Sequence, residues 1–289
     1  MGDVLEQFVH HLRAEDFKER TVTIYAYVAG MYLESLSIHG LTLADATRES
    51  VGRYLQWLKG RGLTSGTLRN YQGVIRRLHE FAGEPDQNPL AKPYRYRRGE
   101  VLPRAVSEEH VTKLLESVAG DDPVSLRDRA ILELLYSTGI RASELLGIRL
   151  DDLSLEHATA RIDGKGGREA VVAFGEQAKT AIARYLERAR PGMIWRGEHG
   201  RLWVNCFGGA LRYGGLLRIT TGRAKAAGLA PMSPHQLRHS FATHLMDRGA
   251  HIRIIQELLR HRSVATTQIY THLDTRRLAD ERRRYHPRG

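Results

Sequence analysis

The sequence predicts a mainly α protein of two domains: a helical bundle at the N-terminus, and a mixed α/β domain with a small antiparallel sheet at the C-terminus. Three observations carry this expectation. Apolar residues recur at helical spacing as far as Glu84, a basic proline-rich stretch then interrupts the periodicity, and one strand–turn–strand pattern lies within an otherwise helical remainder. A chain of 289 residues is long enough to bury two cores. The expected boundaries are 1–84 for the helical domain, 85–104 for the connection and 105–289 for the second domain.

In TVTIYAYVAGMYLESL, Ile24, Tyr27, Val28, Met31 and Leu36 fall at helical spacing. VGRYLQWLKG repeats the pattern with Val51, Tyr54, Leu55 and Leu58 before Gly60 and Gly62 end it. A third helix begins at Thr64 or Ser65 and carries Leu68, Tyr71, Val74, Ile75 and Leu78 on one side, with Arg69, Arg76 and Arg77 largely off it. Such basic outer faces suit a DNA backbone, and they equally suit solvent.

Pro85, Pro89, Pro93 and Pro103 mark the connection, and Lys92, Arg95, Arg97, Arg98 and Arg104 make it basic. Contact with DNA is expected there because the flanking regions are basic too. Ser107 then caps a new helix with Glu108 and Glu109 in its first turn. RDRAILELLYSTGIRASELLGI reads as a helix, a break at Gly139 and a second helix opening near Ser143. ATARID, GKGG and REAVVAF read as strand, turn and strand, with Lys165 at the tip; from Gln177 onward the chain reads as mostly helical.

Lys and Arg number 44 against 33 Asp and Glu, a formal charge of +11, and most of the excess is arginine. The planar guanidinium fork matches phosphate, so a nucleic-acid partner is favoured over simple solubility. No apolar run approaches the ~20 residues that span a bilayer, and MGDVLEQF lacks the pattern of a secretory signal. The expectation is a cytoplasmic protein with no membrane partner. Cys206, the single cysteine, cannot form an internal disulfide and is expected to be half-buried.

The densest pattern is SPHQLRHSFATHLMDRG. Ser233 and Pro234 start a helix, and His235 and Arg238, three apart, share a face. An imidazole and a guanidinium near a helix N-terminus suit a phosphate. The alternatives are histidines bound to backbone carbonyls, or a metal pair at His235 and His239; no HExxH-like acid and no cysteine accompanies them. Arg141 begins the helix after Gly139, where Glu144 can orient it or simply pair with it on a solvated surface. Tyr270 follows the RHRS break after Leu259; its hydroxyl, with a pKa near ~10, needs cations nearby to act as a nucleophile.

Taken together, TGIRASEL, GKGGRE, SPHQLRHSFATHL and HRSVATTQIYTH resemble, in order and spacing, the boxes of the tyrosine recombinases, the phage integrase family. The basic helical region resembles that family's core-binding domain, and the length and C-terminal tail look most like the Xer recombinases, within a fold shared with type IB topoisomerases. The resemblance implies Tyr270 as nucleophile, forming a 3′-phosphotyrosyl link. It further implies Arg141 and Arg238 on the nonbridging oxygens, His235 in proton handling, His261 on the phosphate and Lys165 as the acid for the leaving 5′-oxygen.

It also implies a metal-free site with no cofactor, a specific recombination site in double-stranded DNA, and a homo- or hetero-tetramer exchanging strands through a Holliday junction. Chromosome dimer resolution is the expected role, with a second Xer-like recombinase or a DNA translocase activator as further partners; mobile-element integration or resolution, a relaxing enzyme and a non-catalytic DNA-binding protein are the alternatives. The tail LADERRRYHPRG is expected on a neighbouring protomer, its competing placement being on its own chain. Two residues depart from the family pattern. Arg168 preserves charge, whereas Arg260 stands where the family usually has glycine. A left-handed backbone there costs a non-glycine residue about 1 kcal/mol, so a repositioned turn is expected, with Arg260 regaining part through the helix dipole or a DNA phosphate.

Overall fold

The computed structural model describes residues 2–83, 88–96, 105–163, 169–260 and 280–288. The chain divides into two compact units, Met1–Val101 and Leu102–Gly289.

In the first unit the described residues form four helices: α1 (Gly2–Ala14), α2 (Glu19–Ile38), α3 (Arg48–Gly60) and α4 (Ser65–Ala82). Helix α1 is additional to the three expected. Its Phe8 and Leu12 are fully buried, and Val4, Leu5 and Val9 pack beside them, so the helical stripe was present in the sequence. The face expected of α2 needs correction: Ile24 and Tyr27 are 51% and 63% exposed, and Val22, Ala29, Tyr32 and Leu33 join Val28 and Leu36 in the core. Helix α2 packs against both α1 and α4, and that packing selects the stripe. The reading of α3 and α4 holds, with Thr47 and Thr64 as caps, the latter accepting from the Thr67 N–H.

Residues 88–96 lie against α3 and α4. Leu90 is fully buried, and Asn88 donates from Nδ2 to the Arg76 carbonyl at 2.9 Å. The Tyr94 backbone N–H donates to Gln72 Oε1 at 2.8 Å, and its hydroxyl donates to the Arg48 carbonyl at 2.7 Å. This half of the proline-rich stretch is thus tied to the helical unit by two backbone carbonyls and the Gln72 side chain, partners that its composition does not disclose.

In the second unit, α5 (Glu108–Glu116) is capped by Ser107, as expected. Helix α6 (Pro123–Thr138) starts at the Asp122 cap, is buried on nearly every face and forms the centre of the core, against which α8 and α11 pack. Helix α7 (Ala142–Gly147) has Arg141 as its N-cap and opens one residue before the expected Ser143. The sheet has order β1 (Leu153–Ser154), β2 (Thr159–Asp163), β3 (Glu169–Ala173), all antiparallel; β1 extends the expected hairpin, whose tip at 164–168, with Lys165, lies outside the described residues. Ala160, Ile162 and Val172 turn one face of the hairpin to the core.

The remainder is α8 (Glu176–Arg188), α9 (Arg190–Met193), α10 (Tyr213–Ala226), α11 (Pro234–Asp247) and α12 (Ile252–Leu259). Between α9 and α10 the chain makes a turn closed by a Val204–Ala210 bridge. Cys206 sits on that turn and is exposed, a correction to its expected half-burial; Asn205 turns the backbone there by accepting from the N–H groups of Phe207 and Gly209.

Residues 280–288, helical over 280–285, dock on the unit that carries them. Arg288 donates from Nη1 to the buried Glu133 at 2.6 Å, and Arg282 from Nη1 to Ser137 Oγ at 3.3 Å. His286 lies between Tyr136 and Phe241, with ring centroids 4.7 and 5.3 Å away. Within this single chain residues 280–288 thus pack on their own unit, where Arg288 is the cation nearest the Glu133 carboxylate, itself 1% exposed.

Candidate active site

Three elements of the second unit converge through one buried carboxylate and two backbone carbonyls. Gly139 ends α6 in the left-handed conformation, φ 59° and ψ 22°. A Cβ at this position would lie 2.5 Å from Phe241 Cδ1, so glycine serves both the turn and the close approach of α11. The turn delivers Arg141 to the start of α7, where its N–H donates to Glu144 Oε2 at 2.7 Å and its Nη1 to Glu144 Oε1 at 2.8 Å. Glu144 is 4% exposed while the Arg141 side chain is 41% exposed. The solvated surface pair that the sequence left open is thereby excluded: the carboxylate is interior, while the Arg141 side chain stays partly exposed.

Helix α11 is fixed at its start by a reciprocal cap. The Ser233 hydroxyl accepts from the Gln236 N–H at 3.2 Å, and Gln236 Oε1 accepts from the Ser233 N–H at 2.9 Å. One turn later Arg238, 7% exposed, donates from Nη1 to the Gly139 carbonyl at 2.6 Å and from Nη2 to the Leu259 carbonyl at 2.7 Å. Both acceptors are at helix C-terminal ends, where partial negative charge favours a cation. Burial, followed by repulsion from Arg141, pushes the Arg238 guanidinium down to about 10, with Arg260 adding to the repulsion and Glu144 opposing it. At neutral pH it stays charged.

Arg260 ends α12 in the left-handed region, φ 52° and ψ 51°. The turn is the one a glycine would make, so the expected repositioning does not occur. Its guanidinium donates from Nη2 to Glu144 Oε2 at 2.8 Å, and its side chain is 15% exposed. The strain of the turn is offset by the contact with Glu144.

The histidines separate. His235 and His239 are exposed on α11. His244 is buried, with Nε2 2.7 Å from the Val106 carbonyl and Nδ1 2.8 Å from the Tyr136 hydroxyl, the structural alternative the sequence allowed. Among the described residues no group of three or more His, Cys, Asp or Glu side chains is placed to hold a metal. His261 and Tyr270 lie outside the described residues.

On the helical unit, Arg69 is exposed, with Nε 3.4 Å from the Ser65 carbonyl. Arg76 pairs with Glu80 at 2.7 Å, and Arg77 pairs with Glu15 at 2.6 Å while lying over the Phe17 ring. Exposed pairs of this kind contribute only about 0–1 kcal/mol, so a phosphate can compete for the arginines. Lys92 and Arg95 are exposed; Arg97, Arg98 and Arg104 lie outside the described residues.

Glu144 was legible as a partner of Arg141, but its link to Arg260 was not. Nor did the sequence signal the Leu259 carbonyl, because any residue type offers one.

The chain matches the phage integrase family over residues 104–277 and the N-terminal SAM-like domain of phage integrases over residues 5–84. It is 35% identical over 292 residues to the tyrosine recombinase XerD of Halalkalibacterium halodurans, covering 99% of this chain and 98% of that one. Identity to the tyrosine recombinase XerD of Corynebacterium glutamicum is 38% over 293 residues, covering 96% of each. Among solved structures, the XerH site-specific recombinase bound to palindromic difH substrate, a post-cleavage complex, matches with a TM-score of 0.69 at 26% identity, over 90% of this chain and 78% of that one. A lambda integrase tetramer bound to a Holliday junction shares the fold, with a TM-score of 0.69 at 17% identity over 97% of this chain and 77% of that one.

Proposed function

We propose that this chain, which belongs to the phage integrase family of tyrosine recombinases and so cleaves and rejoins DNA, is a site-specific recombinase that uses Tyr270 as its nucleophile. The observation that carries the reading is the arrangement of Arg141 and Arg238 beside the end of α12, the helix from which the sequence runs to His261 and Tyr270.

In the proposed step the Tyr270 oxygen attacks the scissile phosphorus, and the bond from phosphorus to the 5′-oxygen breaks. The tyrosine proton leaves with assistance from His235, and Lys165 protonates the departing 5′-oxygen, giving a 3′-phosphotyrosyl link and a 5′-hydroxyl. Arg141, whose side chain is partly exposed, meets the nonbridging oxygens; Arg238 adds fixed positive charge, and His261 donates to the phosphate. Charge that grows on the phosphate in the transition state is thus met by groups already in place. Guanidinium groups take the part that metal ions play in other nucleases. Reversal with the 5′-hydroxyl of a second duplex reseals the strand without ATP, because the phosphotyrosyl bond conserves the phosphodiester's energy.

Similarity to XerD proteins along almost the whole chain supports Xer-type exchange in the cytoplasm, with resolution of chromosome dimers as its role. Assembly as a tetramer on paired duplexes is supported by the fold shared with the integrase tetramer on a Holliday junction. Arg69, Arg76, Arg77, Lys92, Arg95, Arg97 and Arg98 are the proposed backbone contacts. The test is a plasmid with two copies of a candidate chromosomal site, incubated with this protein alone or with a related recombinase from the same genome. Deletion or inversion products support the reading; relaxation without exchange replaces it with a topoisomerase, and binding without breakage removes the chemistry.

A further inference from the structure

Glu144 accepts three charge-assisted or backbone hydrogen bonds: Oε1 from Arg141 Nη1, and Oε2 from both the Arg141 N–H at 2.7 Å and Arg260 Nη2 at 2.8 Å. A carboxylate that is 4% exposed needs such partners in the interior. If Arg141 were its only cation, each movement of Arg141 toward a phosphate would leave Glu144 uncompensated. Arg260 removes that conflict by holding the other oxygen.

The same residue fixes the exit of α12. The carbonyl of the preceding residue, Leu259, accepts from Arg238, while Arg260 itself binds Glu144. Two consecutive residues thereby join the end of α12 to both arginine-bearing elements, immediately before the segment that leads to Tyr270. The left-handed backbone at Arg260 costs about 1 kcal/mol, and it persists because the guanidinium is anchored on the buried carboxylate.

We propose that Arg260 is a positioning residue for strand cleavage: through Glu144 it keeps Arg141 available to the scissile phosphate, and it sets the direction in which the chain leaves α12. This replaces the expectation that Arg260 contacts DNA, and it rests on the reading that Arg141 and Tyr270 carry out cleavage. The guanidinium faces a carboxylate inside the unit, so its contribution belongs to the chemical step and not to affinity.

The test is single-turnover cleavage of a nicked suicide substrate at saturating DNA, with binding measured separately across salt concentrations. Arg260→Gly is the informative variant because glycine adopts the left-handed turn without strain, which keeps the fold; thermal melting verifies this. Its cleavage rate is expected to fall roughly tenfold, the scale of one charge-assisted hydrogen bond, with Kd and its salt dependence unchanged. Arg260→Lys, which retains a cation for Glu144, is expected to recover part of the rate. In a Glu144→Gln background, Arg260→Gly should add little, since both act through one contact.

Wild-type cleavage by Arg260→Gly overturns the inference. So does a loss confined to affinity, with the salt slope reduced by about one phosphate contact, and so do fully additive effects of the two substitutions. Absence of any Tyr270-dependent adduct in the wild-type protein removes the recombinase reading and this inference with it, whereas wild-type cleavage beside an unimpaired Arg260→Gly removes the inference alone.

Discussion

Arg238 donates to the carbonyl of Leu259 at 2.7 Å, joining α11 to the last residue of α12, and its other terminal nitrogen holds the Gly139 carbonyl at the end of α6. A residue expected only to meet phosphate is also a clamp among three helices. Its charge is therefore positioned before DNA arrives, which is what transition-state stabilisation requires.

Replacing Arg238 with Ala strands two buried carbonyls. The expected cost is about 2–4 kcal/mol of stability in addition to the loss of cleavage. Arg238→Lys keeps the cation but cannot span both carbonyls, so it should melt between the other two proteins while remaining strongly impaired in cleavage. Denaturant unfolding alongside single-turnover cleavage separates the effects; an Arg238→Ala protein as stable as wild type would show that the two carbonyl contacts contribute nothing to the fold.

Acid sensitivity follows from buried histidines. Burial, reinforced by Arg282, pushes His286 down to about 3, and burial alone pushes His79 to about 4. The contacts of His286 suit only a neutral ring: Nε2–H donates to the Tyr136 carbonyl at 3.1 Å, and Nδ1 accepts from the Arg288 N–H at 3.1 Å. The unfolded chain takes up these protons near pH ~6.5, and the folded chain refuses them until far lower. Stability is thus full above that pH and falls as pH drops, by roughly 1.4 kcal/mol per pH unit for each histidine. Thermal melting at pH 7 and pH 5 should show a clear fall in Tm, smaller in His286→Gln; equal slopes in the two proteins would contradict this assignment.

The parts of the site that were legible in the sequence are local ones. Gly139 before Arg141 and the Ser233 cap depend on backbone geometry that neighbouring residues dictate, and both appear where expected; His235 and Arg238, expected on one face, differ, the first exposed and the second buried. Contacts between distant segments were not legible. Arg238 meets a carbonyl 21 residues away and Arg260 a carboxylate 116 residues away, and neither partner is marked by residue type. Surface exposure misled for the same reason: Ile24 and Tyr27 have core-like side chains, but the packing of α1 and α4 turns them outward. Arg260 illustrates the opposite case, in which a residue unfavourable to its local conformation is kept there by a tertiary contact.

The central claim, metal-independent cleavage through Tyr270, is tested most directly by denaturing gel analysis of a nicked, end-labelled candidate site incubated in EDTA. The account predicts a covalent adduct that retains the DNA strand ending at the cleaved 3′-phosphate and leaves a 5′-hydroxyl that polynucleotide kinase can label. Tyr270→Phe should abolish the adduct while leaving affinity within about twofold, since one hydroxyl contributes little beside many phosphate contacts. An adduct that persists in Tyr270→Phe, that carries the 5′-phosphate instead, or that forms only when divalent metal is restored would contradict it.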